Sequence, residues 1–121
     1  MSKNFYITTP IYYPSGKPHM GHAYSSIVAD IFARFKRLEG YNVLFLTGTD
    51  EHGQKNQKEA EKIKKDPKVF CDEISQTFRS LTKILNLTNE QRNQIFSFLL
   101  ENFEQRQLLE VDLINVSPGN L

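Results

Sequence analysis

The sequence predicts an α/β fold, in which helices surround a partial parallel sheet, and three observations support this. Residues 5–9 are β-branched and aromatic and stop at Pro10, which is typical of a strand. From Met20 to Leu38 apolar side chains recur every three or four residues, as in a helix with one buried face. Residues 43–46 form a short unbroken apolar run, which favours a strand buried on both faces. Strand, helix and strand in this order indicate a βαβ unit with parallel strands.

The predicted first helix lies between a loop and a glycine. Its entrance, residues 10–18, is rich in proline, glycine and serine, which favours a loop. Gly40 suits the C-terminal cap. We expect the apolar positions of this helix to face the core; they are Ala23, Tyr24, Ile27, Val28, Ile31, Phe32, Phe35 and Leu38.

The rest of the chain predicts further helices and one more strand. The lysine-rich stretch 52–65 suits a solvated helix, and residues 111–116 suit a strand. Asp66 and Pro67 suit the N-cap and first position of a helix that runs to about Leu87. This helix is expected to bury Phe70, Ile74, Phe78, Leu81 and Leu85. Thr88 and Gln91 resemble a capping box in front of an amphipathic segment that contains Ile95, Phe98, Leu99 and Phe103.

Composition excludes several classes of protein. The chain has 121 residues, of which 39% are hydrophobic and 24% charged, enough for one modest core. Its net charge of +1 gives no general attraction to nucleic acid. No apolar run approaches the roughly 20 residues of a membrane span, and the N-terminus does not resemble a secretory signal. The single cysteine, Cys71, suits inert packing in a reducing compartment, so we expect a cytoplasmic protein.

All three histidines fall in two short polar clusters. His19 and His22 lie where the loop meets the first helix, and His52 follows Asp50 and Glu51 directly after the second strand. If the strands are parallel neighbours, both clusters emerge at the carboxyl edge of one sheet. Open α/β sheets bind ligands at that edge.

The chemistry of the first cluster points to an anion. His19 and His22 are three residues apart and project from one side of a helix start, whose N–H groups and dipole attract negative charge. Their imidazoles suit hydrogen bonds to phosphate, and Gly21 between them would let a ligand approach the backbone. The alternative is that His22 is an ordinary helix residue and His19 an ordinary loop residue.

The second cluster leaves two further alternatives open. Asp50 suits a carboxylate that binds an ammonium group, or one that caps a turn. Three histidines with Asp50 and Glu51 have the ligand types of a zinc site. No second cysteine and no His-Glu-x-x-His pattern supports zinc, so we expect no metal site.

Three sequence blocks follow one another in the first half of the chain: residues 5–14 (FYITTPIYYP), residues 18–24 (PHMGHAY) and residues 45–53. Together they resemble the opening of a bacterial-type methionyl-tRNA synthetase. Residues 18–24 are similar to the His-Ile-Gly-His motif of class I aminoacyl-tRNA synthetases. Residues 45–53 (FLTGTDEHG) resemble the second block of that family. The resemblance extends from about Asn4 to Leu87. It implies a Rossmann-like fold of the nucleotidyltransferase type.

The resemblance also implies a reaction and roles for particular residues. Family members activate methionine with ATP, expected as a magnesium complex, and then esterify tRNA. By this resemblance His19 and His22 contact the ATP phosphates and stabilise the displacement, while Gly21 lets the adenine lie against the helix start. Asp50 holds the α-ammonium group of methionine. The residues expected to line the methionine pocket are Ile11 and Tyr13.

The sequence also departs from the family pattern. Lys83 is the last lysine, so residues 88–121 do not contain the Lys-Met-Ser-Lys-Ser loop that stabilises pyrophosphate in relatives. We therefore assign residues 1–87 to the N-terminal half of a synthetase catalytic domain, and residues 88–121 to a helix and strand that do not match the family. A truncated gene, a frameshift and a chimera would each produce such a tail.

These departures leave three functions open. The first is a half-site that binds ATP and methionine, with little or no aminoacylation, weak tRNA binding and no membrane partner. The second is an inactive remnant or protein-interaction module that self-associates through an exposed apolar flank. The third is a small nucleotidyltransferase that makes another adenylate.

Overall fold

The computed structural model describes residues 3–89 and the strand at 111–115. Its elements in chain order are β1 (Asn4–Thr8), α1 (Met20–Leu38), β2 (Asn42–Leu46), α2 (Gln54–Lys62), α3 (Pro67–Ile84) and β3 (Val111–Asn115). The predicted α/β class is confirmed. Each predicted strand and helix within the described residues is present, with ends shifted by a few positions.

The sheet has three parallel strands in the order β2-β1-β3. Asn4 pairs with Asn42 on one side and with Val111 on the other, so the strands begin level with one another. Their carboxyl ends therefore meet at one edge, which confirms the parallel βαβ unit.

The main core lies between one face of the sheet and α1. Alternate side chains of β1 and β2 point to this face because the side-chain period of a strand is two. The residues buried there are Phe5, Ile7, Ala29, Ala33, Val43 and Phe45. Leu44 points to the opposite face and is also buried, so the prediction that β2 is covered on both faces is confirmed.

The predicted buried face of α1 is wrong for most of its residues, although Val28 packs against the core as expected. The helix packs on the sheet through small and polar side chains, while most of the large apolar ones point to solvent. Ile31 and Leu38 are 59% and 88% exposed. Small residues such as Ala29 and Ala33 let the helix approach the strands closely, and this contact fixes which side faces inward. The buried positions are Ser25, Ser26, Ala29, Asp30 and Ala33, and the exposed apolar ones are Met20, Tyr24, Ile27, Ile31, Phe32, Phe35 and Leu38.

The N-cap residue Asp66 determines where α3 begins. One carboxylate oxygen of Asp66 accepts the N–H groups of Lys68 and Val69 at 3.0 and 3.2 Å, and Pro67 occupies the first helical position. The helix ends at Ile84, three residues before the predicted end at Leu87. A small second core joins α3 to α2 through Ala60, Phe70 and Cys71, so the thiol is buried as expected.

Two predictions concern residues outside the described part of the chain. The amphipathic segment at residues 95–103 lies there, as does Gln91 of the predicted capping box. The hydroxyl of Thr88, the other member of that box, contacts α1 instead. Within the described residues, no helix has the length and apolarity required to cross a membrane.

A buried carboxylate joins the end of α3 to α1. One oxygen of Asp30 accepts the Thr88 backbone N–H at 2.7 Å and also the Thr88 hydroxyl, and the other accepts Arg34 Nε at 2.7 Å. Arg34 and Arg37 in turn donate to the carbonyls of Asn86 and Thr88. Burial alone would raise the pKa of Asp30, but the hydrogen bonds from Thr88 and Arg34 outweigh it and the pKa is lowered.

We predict that Asp30→Ala destabilises the chain by about 2 kcal/mol, because it removes charge-assisted hydrogen bonds and leaves the half-buried Thr88 N–H without this partner. Chemical denaturation followed by circular dichroism measures this. The matched control is Asp72→Ala, which breaks only an exposed pair with Lys68 and should cost less than about 1 kcal/mol. Since the folded pKa of Asp30 is lowered, its contribution is present above the unfolded value of 3.8 and is lost as the pH falls through the folded pKa. Equal losses in the two variants would contradict this role.

Candidate active site at the carboxyl edge of the sheet

The two polar clusters are joined by backbone pairing beyond the ends of the strands. The hydroxyls of Thr9 and Thr47 lie 2.6 Å apart at the end of β1 and β2. Farther along, the Tyr12 N–H donates to the Gly48 carbonyl at 3.0 Å, and the Asp50 N–H donates to the Tyr12 carbonyl at 2.8 Å. This short parallel bridge fixes the loop before α1 against the loop before α2. Both clusters therefore follow the carboxyl ends of the parallel strands, as predicted, but His52 and the two histidines of the first cluster line different cavities.

The two histidines form a reciprocal cap at the start of α1. Nδ1 of His19, the N-cap residue, accepts the Gly21 N–H at 3.0 Å. Nδ1 of His22 accepts the His19 N–H at 3.1 Å. Serine and glutamate usually form such a capping box, so histidine is an unusual choice that leaves two rings at the helix start. The ring centroids lie 3.9 Å apart.

This cap determines where the ring protons lie. A nitrogen that accepts a hydrogen bond carries no proton, so each neutral ring has its proton on Nε2. Each Nε2–H group is therefore a donor that the cap does not use. The Gly21 N–H, by contrast, is occupied by His19. At this helix start, the hydrogen-bond donors available to a ligand are therefore the histidine Nε2–H groups and not the Gly21 N–H.

Gly21 makes room for the cap. A Cβ atom at this position would lie 2.9 Å from Cε1 of His19 and 3.1 Å from its Nδ1. Any side chain at residue 21 would therefore force the His19 ring away from the N–H that it accepts. The cap thus gives one reason for glycine at position 21. The other reason, that a ligand approaches the backbone there, remains a prediction.

Aromatic side chains hold the His22 ring on its inner side. Tyr12 and Phe78 contact it edge-on, with centroid distances of 4.7 and 5.0 Å, and they stack on each other at 5.7 Å. The Tyr12 hydroxyl lies 3.1 Å from Ser26 Oγ. Neither Tyr12 nor Phe78 was among the residues predicted for the site. Tyr12 lies between Ile11 and Tyr13, which were assigned, but Phe78 is distant in sequence and gave no signal.

This environment disfavours a charged imidazole. Burial lowers the pKa of His22, and the neighbouring His19 lowers it further because two positive rings would repel each other. Protonation would also place a hydrogen on Nδ1, which now accepts the His19 N–H. The cap and the neutral state of His22 therefore support each other.

Asp50 caps a turn, which was the alternative prediction for its carboxylate. Its Oδ1 accepts the His52 N–H at 3.2 Å, and its carbonyl accepts Asn56 Nδ2 at 3.1 Å. No described hydrogen bond engages the second carboxylate oxygen of Asp50. The neighbouring Glu51 binds elsewhere, since its Oε1 accepts the hydroxyls of Ser75 and Thr49 at 2.7 and 3.2 Å.

An open cavity of about 370 Å³ contains most of the predicted site residues. It is lined by Ile11, Tyr12, Tyr13, Ser15, Gly16, Lys17, His19, His22 and Lys55. Ile11 and Tyr13 are exposed there beside both histidines. His52 instead lines a separate cavity with Glu51 and the start of α3, and Asp50 is a lining residue of neither cavity. Within residues 3–89, no group of three or more histidine, cysteine or acidic side chains is arranged to hold a metal ion.

Comparison with known proteins shows the family. The model of the family described as tRNA synthetases class I (M) matches residues 5–96. The chain belongs to this family. It is 59% identical to a methionine–tRNA ligase of Thermotoga maritima over 86 residues, and 54% identical to methionine–tRNA ligase 1 of Bacillus cereus over 87 residues. These alignments cover 71% and 72% of the chain but only 14% and 13% of the relatives.

The structural comparison agrees with the family. A solved Mycobacterium tuberculosis methionyl-tRNA synthetase, in complex with methionyl-adenylate, superposes with a TM-score of 0.72 at 43% identity. The match covers 74% of this chain and 18% of that one. The fold of this class I synthetase chain is therefore Rossmann-like, as the resemblance implied.

We predict that acid destabilises this synthetase chain through His22. Because the folded pKa lies below the unfolded value of 6.5, the unfolded state binds more protons. The free energy of unfolding should therefore fall as the pH is lowered from 7.5 to 5.5. Glutamine keeps a capping acceptor but does not titrate, so His22→Gln should flatten this dependence. Denaturation of the wild type and of His22→Gln at both pH values measures it. An unchanged slope in His22→Gln would rule out the cap as its source.

Proposed function

We propose that the chain binds ATP and methionine and takes part in forming methionyl-adenylate. The observation that carries the proposal is the histidine cap, which presents two Nε2–H donors to the cavity beside Ile11 and Tyr13. Family membership supports the reaction class, and the related M. tuberculosis enzyme was solved in complex with methionyl-adenylate.

In the proposed reaction, a carboxylate oxygen of methionine attacks the α-phosphorus of ATP. A new O–P bond forms, and the bond to pyrophosphate breaks. No group of the protein is consumed, so positioning and stabilisation of the developing charge account for the rate. His19 and His22 donate through Nε2–H to phosphate oxygens. Because the cap already fixes both rings, little reorganisation is needed when charge develops.

The remaining roles are assigned to residues around the histidines. Asp50 binds the α-ammonium group of methionine through the oxygen that no described hydrogen bond engages. Ile11 and Tyr13 contact the methionine side chain, and Gly21 lets the adenine approach the helix start. ATP enters with magnesium. The described lining of the cavity contains no carboxylate, the side-chain ligand that Mg²⁺ prefers, so the phosphates and water would hold the ion.

The extent of the activity is part of the proposal. The chain spans about one-seventh of the length of the curated relatives that it matches. We expect slow activation of methionine and little or no aminoacylation. Any affinity for tRNA is expected to be weak.

Methionine-dependent ATP–pyrophosphate exchange tests this function. We predict measurable exchange in the wild-type chain and a loss of at least about 100-fold in the double variant His19→Ala, His22→Ala, since each ring donates to the transferring phosphate. His52→Ala is the matched control and should keep wild-type exchange, because its ring lines a separate cavity. Exchange that survives in the double variant would refute the assigned roles. No exchange in the wild type would favour an inactive remnant.

A second candidate function is a protein-interaction module, favoured by the outer face of α1. Tyr24, Ile27, Ile31, Phe35 and Leu38 lie along one side of this helix, opposite the side that packs on the sheet, and all are exposed. Apolar surface of this kind is a common mark of association. On this reading, the chain pairs with a second copy through α1.

Light scattering over a range of concentrations distinguishes this candidate. We predict that a self-associating chain forms dimers at high concentration and that Ile31→Lys restores the monomer, because a charge would be buried in the contact. Lys58→Ala, on the exposed side of α2, serves as the control and should leave the dimer intact. A wild-type chain that stays monomeric at high concentration would eliminate self-association.

A further inference from the structure

Two lysines share the cavity with the histidine cap. Lys17 lies in the loop before α1, and Lys55 is the second residue of α2. Together with His19 and His22, they are the nitrogen-bearing side chains of its lining. No carboxylate belongs to the described lining, so no acidic group in that lining neutralises these lysines.

The state of the histidines makes the lysines important. In the cap, Nδ1 of each ring accepts an N–H group, so His19 and His22 offer hydrogen-bond donors to a ligand through Nε2. Lys17 and Lys55 add ammonium charges to the same lining. A nucleoside triphosphate carries several negative charges, most of them beyond the α-phosphate. Hydrogen-bond donors without charge suit the α-phosphate, where the reaction occurs. They would not neutralise the larger negative charge of the β- and γ-phosphates.

Ion pairs engage other lysines on the surface, whereas none is described for the two lysines of the cavity lining. Four other described lysines form ion pairs within a turn or between neighbouring segments, namely Lys36 with Glu39, Lys62 with Glu59, Lys65 with Glu73 and Lys68 with Asp72. No ion pair is described for Lys17 or Lys55 within residues 3–89. Both side chains are exposed, so a ligand would not displace an internal partner to reach them.

The start of α2 adds to the positive character around Lys55. Its N-cap, Gly53, has a φ of 114° and provides no side-chain hydrogen bond, and no acidic residue lies in the first turn. The helix dipole and the first N–H groups are therefore not compensated by a capping side chain. An anion near Lys55 would meet both the ammonium group and this helix end.

We propose that Lys17 and Lys55 bind the β- and γ-phosphates of the nucleotide, and pyrophosphate after the displacement, so that the site selects nucleoside triphosphates over monophosphates. The inference rests on the proposed ATP site and deepens it. The histidines act at the α-phosphate as neutral donors, and the two lysines neutralise the charge of the leaving group.

Calorimetric titration of the 121-residue chain with ATP, AMP and inorganic pyrophosphate tests the inference. Lys17→Gln and Lys55→Gln should each weaken ATP and pyrophosphate binding roughly tenfold, the loss expected for one charge-assisted contact. AMP binding should change less than about twofold, since its single phosphate lies at the histidines. Lys58→Gln, on the same helix but outside the cavity lining, is the matched control and should bind all three ligands like the wild type. The wild type and the three lysine variants should have the same melting temperature, because the substituted side chains are exposed.

The outcomes separate this inference from the proposed function. If the wild type binds ATP and pyrophosphate and the two lysine variants bind them equally well, the lysine assignment is wrong while the ATP site stands. An equal loss of AMP binding would also overturn it, because the lysines would then not select for the outer phosphates. Pyrophosphate binding that depends on both lysines, without any methionine-dependent exchange, would support the lysine site and reject the proposed activity. A wild type that binds neither ATP nor pyrophosphate would overturn both.

Discussion

The short parallel bridge between Tyr12 and the segment that follows β2 is the constraint on which the candidate site depends. Two backbone hydrogen bonds, from Tyr12 to Gly48 and from Asp50 to Tyr12, extend the pairing of β1 and β2 beyond the last residues of the strands. Without them, the two loops would leave the sheet independently. With them, the histidine cap, the Asp50 turn and the start of α2 are fixed at one edge. The same bridge directs the Tyr12 ring toward His22, so it also positions the side chain that buries the inner histidine.

A second constraint is that the histidine cap uses one nitrogen of each ring and leaves the other available. This division couples the stability of α1 to the chemistry proposed for the site. A protonated ring would bind an anion through its charge but would lose the acceptor that caps the helix. The neutral ring keeps the cap and offers only a donor. Positive charge must then come from other groups, and in the described cavity the lysines at positions 17 and 55 are suited to supply it.

The orientation of α1 shows that a helical hydrophobic pattern can predict the helix correctly and its buried side wrongly. The apolar side chains recur with a helical period, and the helix is present as predicted. Yet the helix buries the opposite side, where Ala29, Ala33 and two serines lie. Close approach to the sheet requires small side chains, and Asp30 must reach Thr88 on that side of the helix. Packing distance and one buried carboxylate therefore outweighed the hydrophobic pattern, which left an apolar face exposed.

The sequence by itself determined the elements and the resemblance to the family. Strand propensity, helical spacing, caps such as Asp66 and the three quoted blocks are local properties, and each was visible in consecutive residues. The positions of His19, His22 and Asp50 at one edge also followed from the parallel βαβ unit. The tertiary structure alone decided which face of α1 is buried and that Phe78 packs on His22. These features depend on contacts between residues distant in sequence, whose distances and angles no local pattern encodes.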